Sequence, residues 1–145
     1  MLTDLKKLFA ANAEHIFVVD LGVPDPRLID YIVDLLVKFI KTEALYQIGN
    51  HKFKKITEVF NVEDRVDLSH RDIYKHIGDL SLFWDGFYPT QKCDYRTQGK
   101  LSYHIASTYD DCEYKDEVPV LKRLSENFEI CSIGLNKIRQ ECNNL

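Results

Sequence analysis

The broadest apolar stripe in the chain runs from residue 28 to residue 40. Leu28, Ile29, Ile32, Leu35, Leu36, Phe39 and Ile40 recur at helical spacing, and Val33 and Val37 widen the stripe around the cylinder. A helix apolar over most of its circumference is covered on most of its sides. The pattern therefore predicts a second helix from Pro26 to Tyr46 that is the centre of the fold, part of a subunit interface, or both. Asp25-Pro26 marks its start, as an N-cap followed by proline at the first helical position. Upstream, Leu5, Leu8, Phe9, Asn12, Ile16 and Val19 fall near one face and predict a first helix, which Gly22 ends.

Residues 47–68 carry a weaker pattern. Gly49-Asn50 within LYQIGNHKFKKI is a turn signal compatible with a minor hairpin near residues 47–56, and a short helix is expected around Thr57 to Val62. Ser69 and Asp72 form a capping-box-like pair that opens a third helix. Ile73, Ile77, Leu80, Trp84 and Phe87 follow at steps of four and three, up to Pro89. Gly78 and Gly86 inside that helix cost roughly 1 kcal/mol each relative to alanine, which close helix packing or termination would explain. A fourth helix is expected from Asp94 to Asp111. A last one starts near Pro119, with Leu121, Leu124, Phe128, Cys131, Leu135, Ile138 and Cys142 on one stripe.

These elements predict one all-α domain over residues 1–145. The expected architecture is an orthogonal or irregular bundle of five to six helices, with helix two central and the last helix docked along it. The length suits one domain that folds without metal or disulfide. Nothing resembling a linker or repeat divides it.

Composition changes the picture little. The formal charge of −4 gives no global field for nucleic acid or an anionic membrane. Lys52, Lys54 and Lys55 in HKFKK read as a solvated loop. The four cysteines, at 93, 112, 131 and 142, form no CxxC pair, so zinc is not indicated. Cys131 and Cys142 lie on the core stripe and read as small buried hydrophobes. With no leader pattern and no run of 18 apolar residues, the expected location is cytoplasmic.

The candidate chemistry lies in HIGDLSLFWDGFYP, residues 76–89. On a helical wheel Asp72, His76, Asp79 and Phe83 share one narrow face, a quarter turn from the apolar stripe. A carboxylate beside His76 would orient its ring and raise its basicity. His104 on the next helix could add a second imidazole, and Glu126 or Glu129 an oxygen. Trp84 and Tyr103 are candidate ligand-binding aromatics. The structural reading competes: Asp72 caps the helix, and His76 borders the core with Asp79 or a backbone carbonyl as its acceptor. No GxSxG, GxxxxGK[ST], HExxH or GxGxxG motif occurs, and Ser69, Ser107 and Thr108 have no histidine placed by sequence as their base.

The segments RDIYKHIGDLSLFWDGFYP, GKLSYHIAS and VLKRLSENFEICSIGLNKIR occur in an order that resembles a group of small uncharacterised bacterial helical proteins. That resemblance implies a complete domain and a bacterial source, and no activity. The functional expectation is a non-enzymatic helical module that binds a protein partner or itself, as a homodimer, without cofactor or metal. Nucleic acid and membrane are not expected as partners, and a small ligand remains open. The alternative is a small-ligand or metal-dependent enzyme using His76, Asp79 and His104.

Overall fold

The computed structural model describes residues 2–40, 47–48, 51–52, 69–87, 94–111 and 113–143. Among the described residues there are six α-helices: α1 (Leu2–Glu14), α2 (Pro26–Ile40), α3 (His70–Phe87), α4 (Tyr95–Ser107), α5 (Val118–Glu126) and α6 (Phe128–Asn143). They pack as an irregular all-α bundle. Two short strands, β1 (Gln47–Ile48) and β2 (His51–Lys52), pair antiparallel and place the minor hairpin where its turn signal stands. The helix expected around Thr57 to Val62, the HKFKK side chains, Cys93, Cys112 and the extension of helix two over 41–46 lie outside the described residues.

The helix starts follow the caps. The Leu28 amide donates to Asp25 Oδ1 at 3.2 Å, and the Asp72 amide donates to Ser69 Oγ at 3.2 Å. Asp94 caps α4 through the Thr97 amide at 3.1 Å. Gly22 turns the chain at φ +66°, a left-handed conformation that only glycine adopts without strain.

Four sequence expectations are corrected. The first helix is not uniform: after Glu14 it widens into a π-helical segment, His15–Asp20, in which the Leu21 amide reaches back five residues to the Ile16 carbonyl. The wider turn advances fewer degrees per residue. Phe17 is therefore buried in place of Val19, which is 65% exposed, and Leu8 also faces solvent. Phe17 fills the space over Gly134, where a Cβ would stand 2.4 Å from its ring. The last amphipathic stretch is likewise two helices. Asn127 leaves the helical conformation at φ −113°, and its amide and side chain both donate to the Arg123 carbonyl. One non-helical residue hardly shifts a 3.6-residue period, so the stripe continues through the break. Helix four ends at Ser107 and not at Asp111, its C-terminal carbonyls accepting from the Ser107 and Thr108 hydroxyls.

The fourth correction concerns the centre. Packing surrounds α3, not α2: α3 lies against α4 and α6 and also touches α2, while α2 lies mainly on α1. The last helix therefore docks on α3. Leu28, Ile29, Ile32, Val33, Leu35, Leu36 and Phe39 of α2 are all buried within one chain. The apolar stripe of α2 behind the expectation of a homodimer is thus covered within one chain over its described residues.

The α3–α4 contact is close because glycine faces aromatic rings. A Cβ on Gly78 would stand 2.7–2.9 Å from the Tyr103 ring, and one on Gly99 would stand 2.4 Å from Phe128 and 3.0 Å from Ser81. A Cβ on Gly86 would meet Leu135 at 2.6 Å. Close packing accounts for both helical glycines of α3. Gly78→Ala is expected to destabilise the protein by about 1–3 kcal/mol, the cost of overpacking a filled core, even though alanine raises helix propensity. Urea denaturation measures it; an unchanged or higher midpoint would show that Tyr103 can move aside.

Candidate functional site

The run His76-Ile77-Gly78-Asp79 occupies the buried centre of α3, and each residue has a separate task. Ile77 is fully buried in the core, and Gly78 receives the face of Tyr103. That seat brings the Tyr103 hydroxyl to Asp79, where it donates to Oδ1 at 2.7 Å. Tyr31 of α2 donates to the same oxygen at 2.6 Å. One carboxylate, itself 5% exposed, thereby joins α2, α3 and α4. The rings of Tyr31 and Tyr103 meet edge to face, 6.4 Å apart. Burial pushes both phenols well above their ordinary ionisation range, and the Asp79 charge adds to it. Both stay protonated and act as donors.

His76 has a different partner from the one its sequence neighbours suggest. Its Nδ1 lies 3.3 Å from Lys38 Nζ, and no carboxylate among the described residues holds it. An ammonium has only protons to give, so Nδ1 accepts and the ring proton resides on Nε2. Nε2 is buried without a partner among the described residues. Burial, followed by the nearby Lys38 and Lys75 charges, pulls the His76 pKa down to about 3. The expectation of a carboxylate-oriented, more basic imidazole is therefore corrected: Asp79 is turned toward the two tyrosines, and His76 toward a lysine and the Phe39 ring, 5.8 Å away. A base so weak is poorly matched to proton transfer near neutrality.

His104 is exposed on α4, and no hydrogen bond or ring contact joins it to His76 among the described residues. Glu129 pairs with Lys100 at 2.8 Å, and Glu126 is exposed. No group of three or more His, Cys, Asp or Glu side chains among the described residues is placed to hold a metal ion. Trp84 is half-buried against the core, and Tyr103 lies wholly behind Asp79. Cys131 is buried, and desolvation raises its thiol to about 12. Among the described residues, no helix is long and apolar enough to cross a membrane.

The Asp79 cluster closes one end of a groove. An inner pocket of about 190 Å³ is lined by Tyr31, Asp34, Leu35, Lys38, Lys75, Asp79 and Glu117. An outer pocket of about 330 Å³ shares Tyr31, Asp34 and Glu117 with it and adds Arg27, Asp30, Glu113, Asp116 and Val120. The combined lining carries six carboxylates against three cations, from Arg27, Lys38 and Lys75. Glu117 is shared: Arg71, buried beneath the groove, donates to it, and Lys75 Nζ lies 3.4 Å from it. Arg71 also pairs with Asp72 at 3.1 Å and stacks on Tyr114, 4.3 Å from the ring centroid. Asp34 pairs with Lys6 at 3.1 Å, both exposed.

Sequence reasoning placed Asp79 and Tyr103 but missed Tyr31, Lys38, Lys75 and Glu117. Tyr31 carries the one local signal, a phenol at the edge of the α2 stripe, between the aliphatic Leu28 and Leu35 and the charged Arg27, Asp34 and Lys38. A buried hydroxyl there needs an acceptor. Glu117 lies in the turn before α5, and no periodicity points from it to α3.

No protein-family model, no curated protein and no solved structure matches the chain.

Proposed function

We propose that the protein is a non-enzymatic binding module whose working surface is this groove, and that its partner is a protein presenting a basic segment. One observation carries the reading: Asp30, Asp34, Asp79, Glu113, Asp116 and Glu117 converge on two adjoining pockets with only three cations among them. Concentrated charge of one sign in a concave surface focuses the field and attracts the opposite sign. With Arg71 on Glu117 and Lys6 on Asp34 counted beside Arg27, Lys38 and Lys75, six carboxylates still face five cations, which leaves the groove net negative. The catalytic alternative has less support. The imidazole next to the pocket is too weak a base, and His104 stands apart from it.

A labelled peptide of alternating serine and lysine tests the reading by fluorescence anisotropy. Binding is expected to weaken as ionic strength rises, because exposed charge pairs are screened over about 10 Å at 0.1 M salt. Changing Asp30 and Asp116 together to lysine is expected to abolish it. Equal binding of an uncharged peptide, or indifference to the charge reversal, would overturn the proposal.

A further inference from the structure

A third pocket adjoins the groove, between α1, the π-helical segment and the start of α2. We propose, resting on the reading of the groove as the docking surface, that the partner's basic segment also presents one aliphatic side chain of about leucine's size, and that this side chain seats there. The pocket measures about 280 Å³. Ala10, Val18, Pro24, Pro26 and Ile29 give it an apolar wall with no aromatic ring, and Glu14 and Asp30 line it as well. Asp30 also lines the outer pocket of the groove. A segment lying in the groove therefore reaches the apolar pocket by crossing one residue.

The π-helical segment makes this pocket. Its wider turn sets Val18 on the same side as Ala10 and Glu14, toward α2, while Phe17 turns into the core. The Leu21 and Val23 amides fix that turn by donating to the Ile16 and Phe17 carbonyls at 2.9 and 2.7 Å. Pro24 and Pro26 stiffen the wall that follows, each with its φ set by the ring. A cavity so built is formed before anything binds, which lowers the ordering cost of association. It is also open to water: Val18 is 40% exposed, and apolar surface in water gains by being covered. The Glu14 and Asp30 carboxylates make no ion pair among the described residues. The pocket therefore favours an apolar side chain with positive neighbours over one from an acidic segment. Exposed charge pairs contribute weakly to affinity, so the groove orients the segment and the apolar side chain anchors it.

The probes are serine–lysine peptides in which one serine at a time is replaced by leucine, read by fluorescence anisotropy. The parent peptide lacks an apolar side chain and is not expected to enter the pocket. At one or two positions leucine should tighten binding by about tenfold, the low end of what burying such a side chain provides. Val18→Asp should remove that gain and leave the parent peptide bound no more weakly than before. Val19→Asp, whose side chain is more exposed and lies outside the pocket, should keep the gain. Val18→Thr, of the same shape, should reduce the gain severalfold and keeps the test open should the aspartate disturb the fold, which thermal melts report. If no leucine position tightens binding while the parent peptide binds and responds to the Asp30 and Asp116 reversals, the anchor is overturned and the groove stands. A leucine gain that survives Val18→Asp, or is lost equally in Val19→Asp, overturns the pocket as its seat. A leucine peptide without lysine that binds through Val18 supports the pocket and removes the basic-partner reading instead. Sedimentation of the free protein covers the remaining occupant: a dimer that Val18→Asp dissociates would put a second copy in the pocket and overturn the proposal.

Discussion

Asp79→Ala is expected to lower the stability of the protein by about 3–5 kcal/mol. The substitution removes the shared acceptor of Tyr31 and Tyr103 and leaves two phenol donors behind. Each buried donor without a partner costs about 1–3 kcal/mol, and the vacated volume adds a packing loss. Tyr103 is fully buried, whereas Tyr31 also lines the groove and can be hydrated there, so the larger share of the cost falls on Tyr103. Tyr103→Phe should cost less, about 0.5–1.5 kcal/mol, because Asp79 keeps Tyr31. Denaturant unfolding of the two variants and of the double variant measures the coupling. If Asp79→Ala costs less than about 1 kcal/mol, the carboxylate does not hold the three helices together.

The second large effect is an acid loss of stability that begins well above the carboxylate range. His76 in the folded protein binds its proton only near pH 3, whereas an unfolded histidine does so near 6.5. Between those values the unfolded chain holds the extra proton, so stability is fully present above about pH 6.5 and falls as pH drops toward 3. The limiting slope is about 1.4 kcal/mol per pH unit, and the loss between pH 7 and pH 5 is about 2 kcal/mol. Asp94 and Glu129, whose carboxyls are held below their ordinary values by the Thr97 hydrogen bonds and by Lys100, lose their stabilisation only at lower pH. The interval from pH 7 to pH 5 therefore isolates the imidazole. His76→Gln should cost about 0.5–2 kcal/mol at pH 7 and flatten the curve over that interval. A variant that keeps the wild-type slope would mean that His76 titrates normally and is not sealed beside Lys38.

Much of the helical framework was legible because it depends on local chemistry. Asp25-Pro26, the Ser69 cap and Gly22 act within four residues of the backbone they direct, and the structure uses all three. The 3.6-residue stripes of α2, α3 and the 118–143 stretch pointed to buried faces, although Trp84 is only half-buried and the side chains of Ile40 and Cys142 lie outside the described ones. They could not reveal the break at Asn127, because periodicity survives a single non-helical residue. They also could not rank the helices by centrality. The most apolar helix is α2, but the most surrounded is α3, whose buried side includes His76, Asp79 and Ser81. Asp79 and His76 are inside where Tyr31, Tyr103 and Lys38 from other helices meet them, and Ser81 packs against Gly99 of α4.

The candidate site was legible in half. The wheel put Asp79 at the core border, and the glycine beside it hinted at a close approach. The wheel also suggested His76 as its partner, since the two share a face three residues apart. Tyr31 and Tyr103 prevail because two neutral donors on one oxygen compensate a buried carboxylate, whereas pairing with His76 would require a second buried charge. Such a choice is made by residues 24 and 48 positions away in the chain, beyond the reach of local pattern.

The central claim is that the groove between α2, α3 and the turn before α5 is where a basic partner docks. An amide NMR map of the protein titrated with the lysine-containing peptide tests it most directly. The account predicts that perturbations concentrate at Asp30, Tyr31, Asp34, Lys75, Glu113, Asp116 and Glu117, and fade as salt is raised. Perturbations centred instead on the exposed apolar residues Leu8, Val18 and Val19, or on the Asp85, Arg96 and Ser132 surface at the far end of α3, would contradict it, as would a spectrum that does not change.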